Sequence, residues 1–158
     1  MHVRRTIIAG LVIAGAMLGA PVSAVAATDI ALRFGAPVRT VIDTGPAGTT
    51  VGDLTITTGD VRRTEGGRVV GYYTTNQITV RADAAAGREI RKVEMSISLP
   101  DGMIFATSLI RAQAGVPPTQ QMTFAVTGGT GTYAGARGTL THEGVAGKPG
   151  FAVEIELE

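Results

Sequence analysis

The chain has 158 residues, no cysteine and no tryptophan, with 14 basic against 13 acidic side chains. No disulfide can form, so a packed core alone must hold the fold. The near-zero net charge leaves no basic stripe, which excludes a nucleic-acid footprint.

The first segment stands apart from the rest. Met1–Arg5 is basic, Thr6–Ala20 is uncharged and apolar, and Pro21–Ala27 is rich in small residues, with Ala24-Val25-Ala26 in an A-x-A pattern. This is the layout of a secretory signal peptide, too short to be read as a membrane span. The expectation is an exported protein, extracellular or periplasmic, with a leader at 1–27, one domain at 28–158, and no membrane contact after cleavage. Arg4-Arg5 raises twin-arginine export, but the rest of that signal is poor. Without that pair the remainder carries 12 basic and 13 acidic residues. It also keeps a single histidine, His142. A histidine-based metal site or a Ser-His-Asp triad is therefore hard to build, and neither a metal nor a cofactor is expected.

Beyond the leader, period-two alternation replaces helical spacing. Within Thr28–Gly52 only Val38–Ile42 reads as a strand. Residues 53–63 and 68–81 flank a Glu65–Gly67 turn as a hairpin, the second arm rich in β-branched and aromatic residues. In 90–99, Val93, Met95, Ile97 and Leu99 take one face against Lys92, Glu94, Ser96 and Ser98. Pro100–Gly102 is a tight turn into 103–112. A longer loop, Gln113–Thr119, leads to 119–127, where Met122, Phe124 and Val126 alternate with Gln121, Thr123 and Thr127. Strands at 136–143 and 150–158 complete the count, the last with Phe151, Val153, Ile155 and Leu157 on its dry face. Glu154, Glu156 and Glu158 then form a solvated face. Eight sequential antiparallel strands with short turns and no amphipathic helix predict an all-β protein, an eight-stranded antiparallel barrel. A sandwich is the competing architecture.

Gly129–Ala134 fits G-x-G-x-x-G/A after a strand, as a dinucleotide site would. That site needs a helix next and then a parallel strand. Here another strand follows at once, and the chain ends about twenty residues after Gly138. A P-loop fails because no Gly-Lys-Ser/Thr is present. The remaining reading is a sharp corner, with glycines for close approach, Tyr133 packing it, and Arg137 bonding carbonyls or a carboxylate.

The stretch Phe124–Thr141, "FAVTGGTGTYAGARGTLT", closely resembles the signature of the dirigent and allene oxide cyclase barrel superfamily. Gly67–Val80 is similar to the strand before the family's mid-barrel hairpin, and Asp101–Ile110 resembles the strand that carries substrate-facing residues. The likeness spans about Val51 to Glu158. It implies an eight-stranded barrel with a lumen for an apolar small molecule, and cofactor-free chemistry: cyclisation, isomerisation or stereochemical guidance by confinement. It also implies a possible homo-oligomer, dimer or trimer. Gly128, Gly129, Gly131, Tyr133, Arg137 and Gly138 match the signature and are architectural in the family. The family's catalytic positions do not match residue by residue.

Strand parity supplies the site candidates. Tyr72, Thr74 and Asn76 share a face with Val70, Ile78 and Val80. If that apolar face lines the lumen, Tyr72 and Asn76 meet the ligand, and Asn76 orients a carbonyl. Phe105 and Arg111 share parity with Met103 and Leu109, which would put Arg111 at the barrel mouth facing a carboxylate. His142 shares parity with Leu140 and would serve as an inward acid or base. The plainer reading of each is structural: a satisfied amide, a rim arginine, a packed histidine. Tyr72, Tyr73 and Tyr133 can supply phenol protons or simply pack. Two further functions stay open, a non-catalytic ligand-binding barrel and a structural barrel with a filled core.

Overall fold

The computed structural model describes residues 28–113 and 120–158. The leader expected at 1–27 and most of the loop Gln113–Thr119 lie outside them. Nine strands follow in order: β1 (Thr28–Phe34), β2 (Val38–Ile42), β3 (Leu54–Arg62), β4 (Val69–Asp83), β5 (Arg88–Leu99), β6 (Gly102–Gln113), β7 (Met122–Gly129), β8 (Gly138–Gly144) and β9 (Phe151–Leu157). The helical content among the described residues is two single 3-10 turns, at Ala84–Ala86 and Gly131–Tyr133.

All neighbouring strands pair antiparallel, and β1 closes the circle by pairing with both β9 and β3. The nine strands make eight staves. Phe34 faces Val61 on β3 and Val38 faces Thr58, so β1 and β2 run along the same partner with one irregularity at 35–37. The Gly35 amide donates to the Asp60 carbonyl across that break. The result is a closed eight-stranded antiparallel barrel, with no sandwich-like division into two sheets. β1 is the strand that alternation left out. Ile30, Leu32 and Phe34 do alternate and are buried, but they sit directly behind the leader.

The core follows from which residues point inward. On β5 the dry face is Val93, Met95, Ile97 and Leu99; on β9 it is Val153, Ile155 and Leu157, all buried. Each fully buried Leu, Ile or Phe contributes about 1.5–3 kcal/mol. Ile97, Leu99, Ile155 and Leu157 fill one end of the barrel.

The glycine corner closes that end. Gly131 has φ +60, and a Cβ there would strike the Asp101 carbonyl; Gly138 has φ +139 and would strike that of Glu156. Gly129 is held against Met103 and Tyr133 in the same way. Gly128 has room, with only the Arg137 guanidinium 3.8 Å from where a Cβ would be. The Thr130 and Thr132 amides donate to the Met103 and Asp101 carbonyls, at 2.8 and 2.9 Å. The corner thus clasps the β5–β6 turn. The buried Tyr133 ring fills it, and the hydroxyl donates to the Asp101 carboxylate, 3.1 Å from both oxygens. Arg137 donates to the Ala136 and Gly135 carbonyls, the first at 2.7 Å.

Candidate functional site

The opposite end of the barrel is not filled. Residues Tyr73 to Thr79 of β4 show why. Tyr73, Thr75 and Thr79 are buried and Gln77 lines the lumen, whereas Tyr72, Asn76, Ile78 and Val80 are exposed. The strand turns its more apolar parity outward. Tyr72 and Asn76, expected in the lumen, therefore lie on the outer surface. The same holds on β6, where Ile104, Ala106 and Ile110 are buried while Phe105 and Arg111 face out, Phe105 half-buried and Arg111 exposed. These placements correct the parity argument: the inner face of β3–β5 near the mouth is polar, so apolar content does not mark the inside there. His142 does point inward, beside Leu140 on β8.

A chamber of about 130 Å³ lies inside this end. One wall is apolar, with Ile110, Met122, Phe124 and Phe151; the other carries Tyr73, Thr75 and Gln77. Tyr73 stacks on Phe34 with ring centres 4.0 Å apart, and His142 stacks on Phe151 at 4.1 Å. Phe124 meets the imidazole edge-on at 6.3 Å. Gly59, opposite Tyr73 in register, leaves space for that ring: a Cβ would sit 2.6 Å from the Tyr73 Cε1.

Two polar atoms in the chamber wall have no partner. The Tyr73 hydroxyl and the His142 Nδ1 are buried without a hydrogen bond among the described residues. Their residues are 2% and 6% exposed. Burial pushes the Tyr73 phenol up to about 12 and the His142 imidazole down to about 4. Both therefore stay neutral near pH 7.

At the neck of the chamber sits a buried ion pair. Arg91 donates to Glu89 through one nitrogen and to the Gln77 side-chain amide oxygen Oε1 through the other, at 3.2 Å. Thr79 donates to the second Glu89 oxygen at 3.1 Å. A charge this deeply buried needs such pairing. Arg39, on β2, donates to the Thr55 hydroxyl at 3.5 Å. Arg39 and Arg91 line both the chamber and an outer vestibule of about 450 Å³, where Asp43, Asp53 and Glu89 also lie. Asp53 accepts the Thr50 and Thr44 amides, which hold its carboxyl below the usual range. A separate concavity of about 400 Å³ lies beside the barrel; its Arg62 and Lys148 are paired with Asp60 and Glu65.

Sequence reasoning missed Arg39, Gln77, Glu89 and Arg91, and named Tyr73 only as one of three tyrosines that supply a phenol proton or pack. A signal for two of them was present: Glu89 and Arg91 continue the parity of Val93, Met95, Ile97 and Leu99. Charges at the end of a dry face mark where a lumen turns polar. Among the described residues no group of three His, Asp or Glu side chains could hold a metal ion.

The surroundings of this chain can now be stated. No curated protein is significantly similar to it in sequence. Among solved structures it is similar to a pyocyanin demethylase, with 30% identity and a TM-score of 0.67, covering 83% of this chain and 100% of that one. It shares its fold with the Diels-Alderase AbmU from Streptomyces koyangensis, at 10% identity and a TM-score of 0.60, over 84% of this chain and 63% of the longer one. It also shares it with a pterocarpan synthase dirigent protein, at 16% identity and 0.55, over 83% and 82%. Residues 36–157 match the family described as the allene oxide cyclase barrel like domain. The match takes in β2 through β9 with the chamber, neck and glycine corner, and the chain belongs to the allene oxide cyclase barrel-like family.

Proposed function

We propose that the protein holds a hydrophobic small molecule in its lumen and directs cyclisation, isomerisation or stereoselective coupling of that molecule by confinement. The observation that carries this reading is the pair of orphan polar atoms, Tyr73 Oη and His142 Nδ1, in the wall of a chamber whose other side is apolar. An unsatisfied buried polar group costs about 1–3 kcal/mol, and a phenylalanine at either position would avoid it. A ligand that hydrogen-bonds both atoms removes the cost. Tyr73, kept protonated by burial, is a donor for a carbonyl or a developing enolate oxygen. Neutral His142 accepts or passes a proton at Nδ1, according to its tautomer. The relatives named above include a demethylase, a Diels-Alderase and a pterocarpan synthase dirigent protein, which supports a lumen used for reactions of small molecules.

A second reading, carriage without reaction, draws on one observation: the wall formed by Ile110, Met122, Phe124 and Phe151 offers a ligand apolar contact and no reacting group. Incubation with polyene, oxylipin and phenoxy-radical precursors separates the two. The expected result is a change in product rate or stereochemistry at stoichiometric protein, reduced about tenfold or more in Tyr73→Phe. Products identical with and without protein would remove the catalytic reading and leave the carrier.

A further inference from the structure

The size and charge of the lumen narrow the ligand further. The following rests on the reading that the chamber is the ligand site. A cavity of roughly 150 Å³ lined by apolar side chains holds one benzene ring. The chamber, at about 130 Å³, is of that size. A polyene or a fused ring system cannot lie wholly within it, and any larger ligand must pass the neck into the vestibule.

Charge fixes what sits at the neck. Within the chamber Tyr73 and His142 are neutral, so among the described residues its formal charges are Arg39 and Arg91. Arg91 is already balanced by Glu89. Arg39 has no carboxylate partner among the described residues, and its one hydrogen bond is the long one to Thr55. Its guanidinium is the uncommitted cation of the lumen, and a planar fork of donors suits a carboxylate or phenolate. Further out, Asp43 and Asp53 line the vestibule and repel an anion there. Among the described residues of chamber and vestibule, the neck is thus the position that favours negative charge.

We infer that the ligand is a small aromatic acid or phenolate, with one ring in the chamber between Phe124 and the Tyr73 and His142 rings, and its anionic oxygens on Arg39. The tyrosine hydroxyl and imidazole nitrogen then meet a ring substituent at the far end from the acid.

The test is titration of the protein with benzoate, benzamide and benzylammonium, followed by calorimetry and by the resonances of the His142 imidazole. Benzoate is expected to bind about tenfold or more tighter than benzamide, the lower end of what a hydrogen bond to a charged group contributes. Benzylammonium is expected to bind weakest. Arg39→Gln should bring benzoate down to the level of benzamide while leaving benzamide unchanged; Arg39→Lys should keep most of the preference. Arg39 is exposed, so these variants fold, whereas changing Arg91 would strand buried Glu89. Equal binding of benzoate and benzamide, both moving the His142 resonances, would overturn the anion assignment and leave the lumen as the site. Benzoate binding unchanged in Arg39→Gln would do the same. If no arene moves those resonances, both readings fall.

Discussion

At the residue scale, His142 shows how packing sets chemistry. It is enclosed by Phe34, Phe124 and Phe151, and its protonation is disfavoured by burial first of all. The charged groups that line the same chamber are Arg39 and Arg91, the latter balanced by Glu89. The unfolded chain protonates this side chain near pH 6.5, the folded chain only near 4. As pH falls through that window the unfolded state takes up a proton that the folded state refuses, so stability is lost. Above pH 6.5 the contribution is fully present, and below 4 the loss is complete. It amounts to about 3 kcal/mol in all. His142→Phe should flatten this slope, seen as urea midpoints that differ little between about pH 7.5 and 5. A slope as steep as in the parent protein would show that other groups cause it. The inward direction of His142 was readable from its parity with Leu140. The outward direction of Asn76 was not, because hydrophobic alternation on β4 points the wrong way: Ile78 and Val80 are exposed, and Thr75 and Thr79 are inside.

At the element scale, the glycine corner was the most legible feature. Its glycines are demanded by positive φ at Gly131 and Gly138 and by carbonyls that leave no room for a Cβ at Gly129, Gly131 and Gly138. Even so, the sequence alone does not distinguish Gly128 from Gly131, and the structure does. Gly131→Ala is expected to cost at least about 2 kcal/mol, from the positive φ and the Asp101 carbonyl together. Gly128→Ala should change stability by at most about 1 kcal/mol in either direction. Equal denaturation midpoints for the two variants would refute this account of the corner. The strands themselves were legible wherever one face is dry and the other wet, as in β5, β7 and β9. The break between β1 and β2 was not, because pairing with β3 and β9 decides it and local pattern does not.

At the scale of the whole molecule, the outer face of the barrel is unusually apolar. Paired across five adjacent strands stand Ile42, Leu54, Ile78, Lys92 and Leu109, with Leu109 68% exposed. Apart from Lys92 the row is apolar, and exposed apolar side chains gathered in this way mark an interface. A second copy of the chain pressing on this row is our expectation, and Leu109→Asp should weaken the assembly about tenfold or more. Light scattering behind a sizing column reads this directly. A parent protein that runs as a monomer throughout would sink the idea.

The bulges of β4 have a consequence for folding. Relative to β3 the strand carries one extra residue, Val70; relative to β5 it carries another, Val80. Between them runs the segment whose polar parity faces in. Sliding a strand by one position swaps its faces. Such a slip here would carry Ile78 inward and Thr79 outward, a trade that the hydrophobic effect alone would favour. Discrimination against that rival arrangement cannot come from oil-like burial on this strand. It falls to the two bulges, which pin the frame at both ends, and to the Thr79–Glu89–Arg91–Gln77 chain, whose members find each other in one frame only. The lumen's polar wall thus serves as the proofreading of the barrel that contains it.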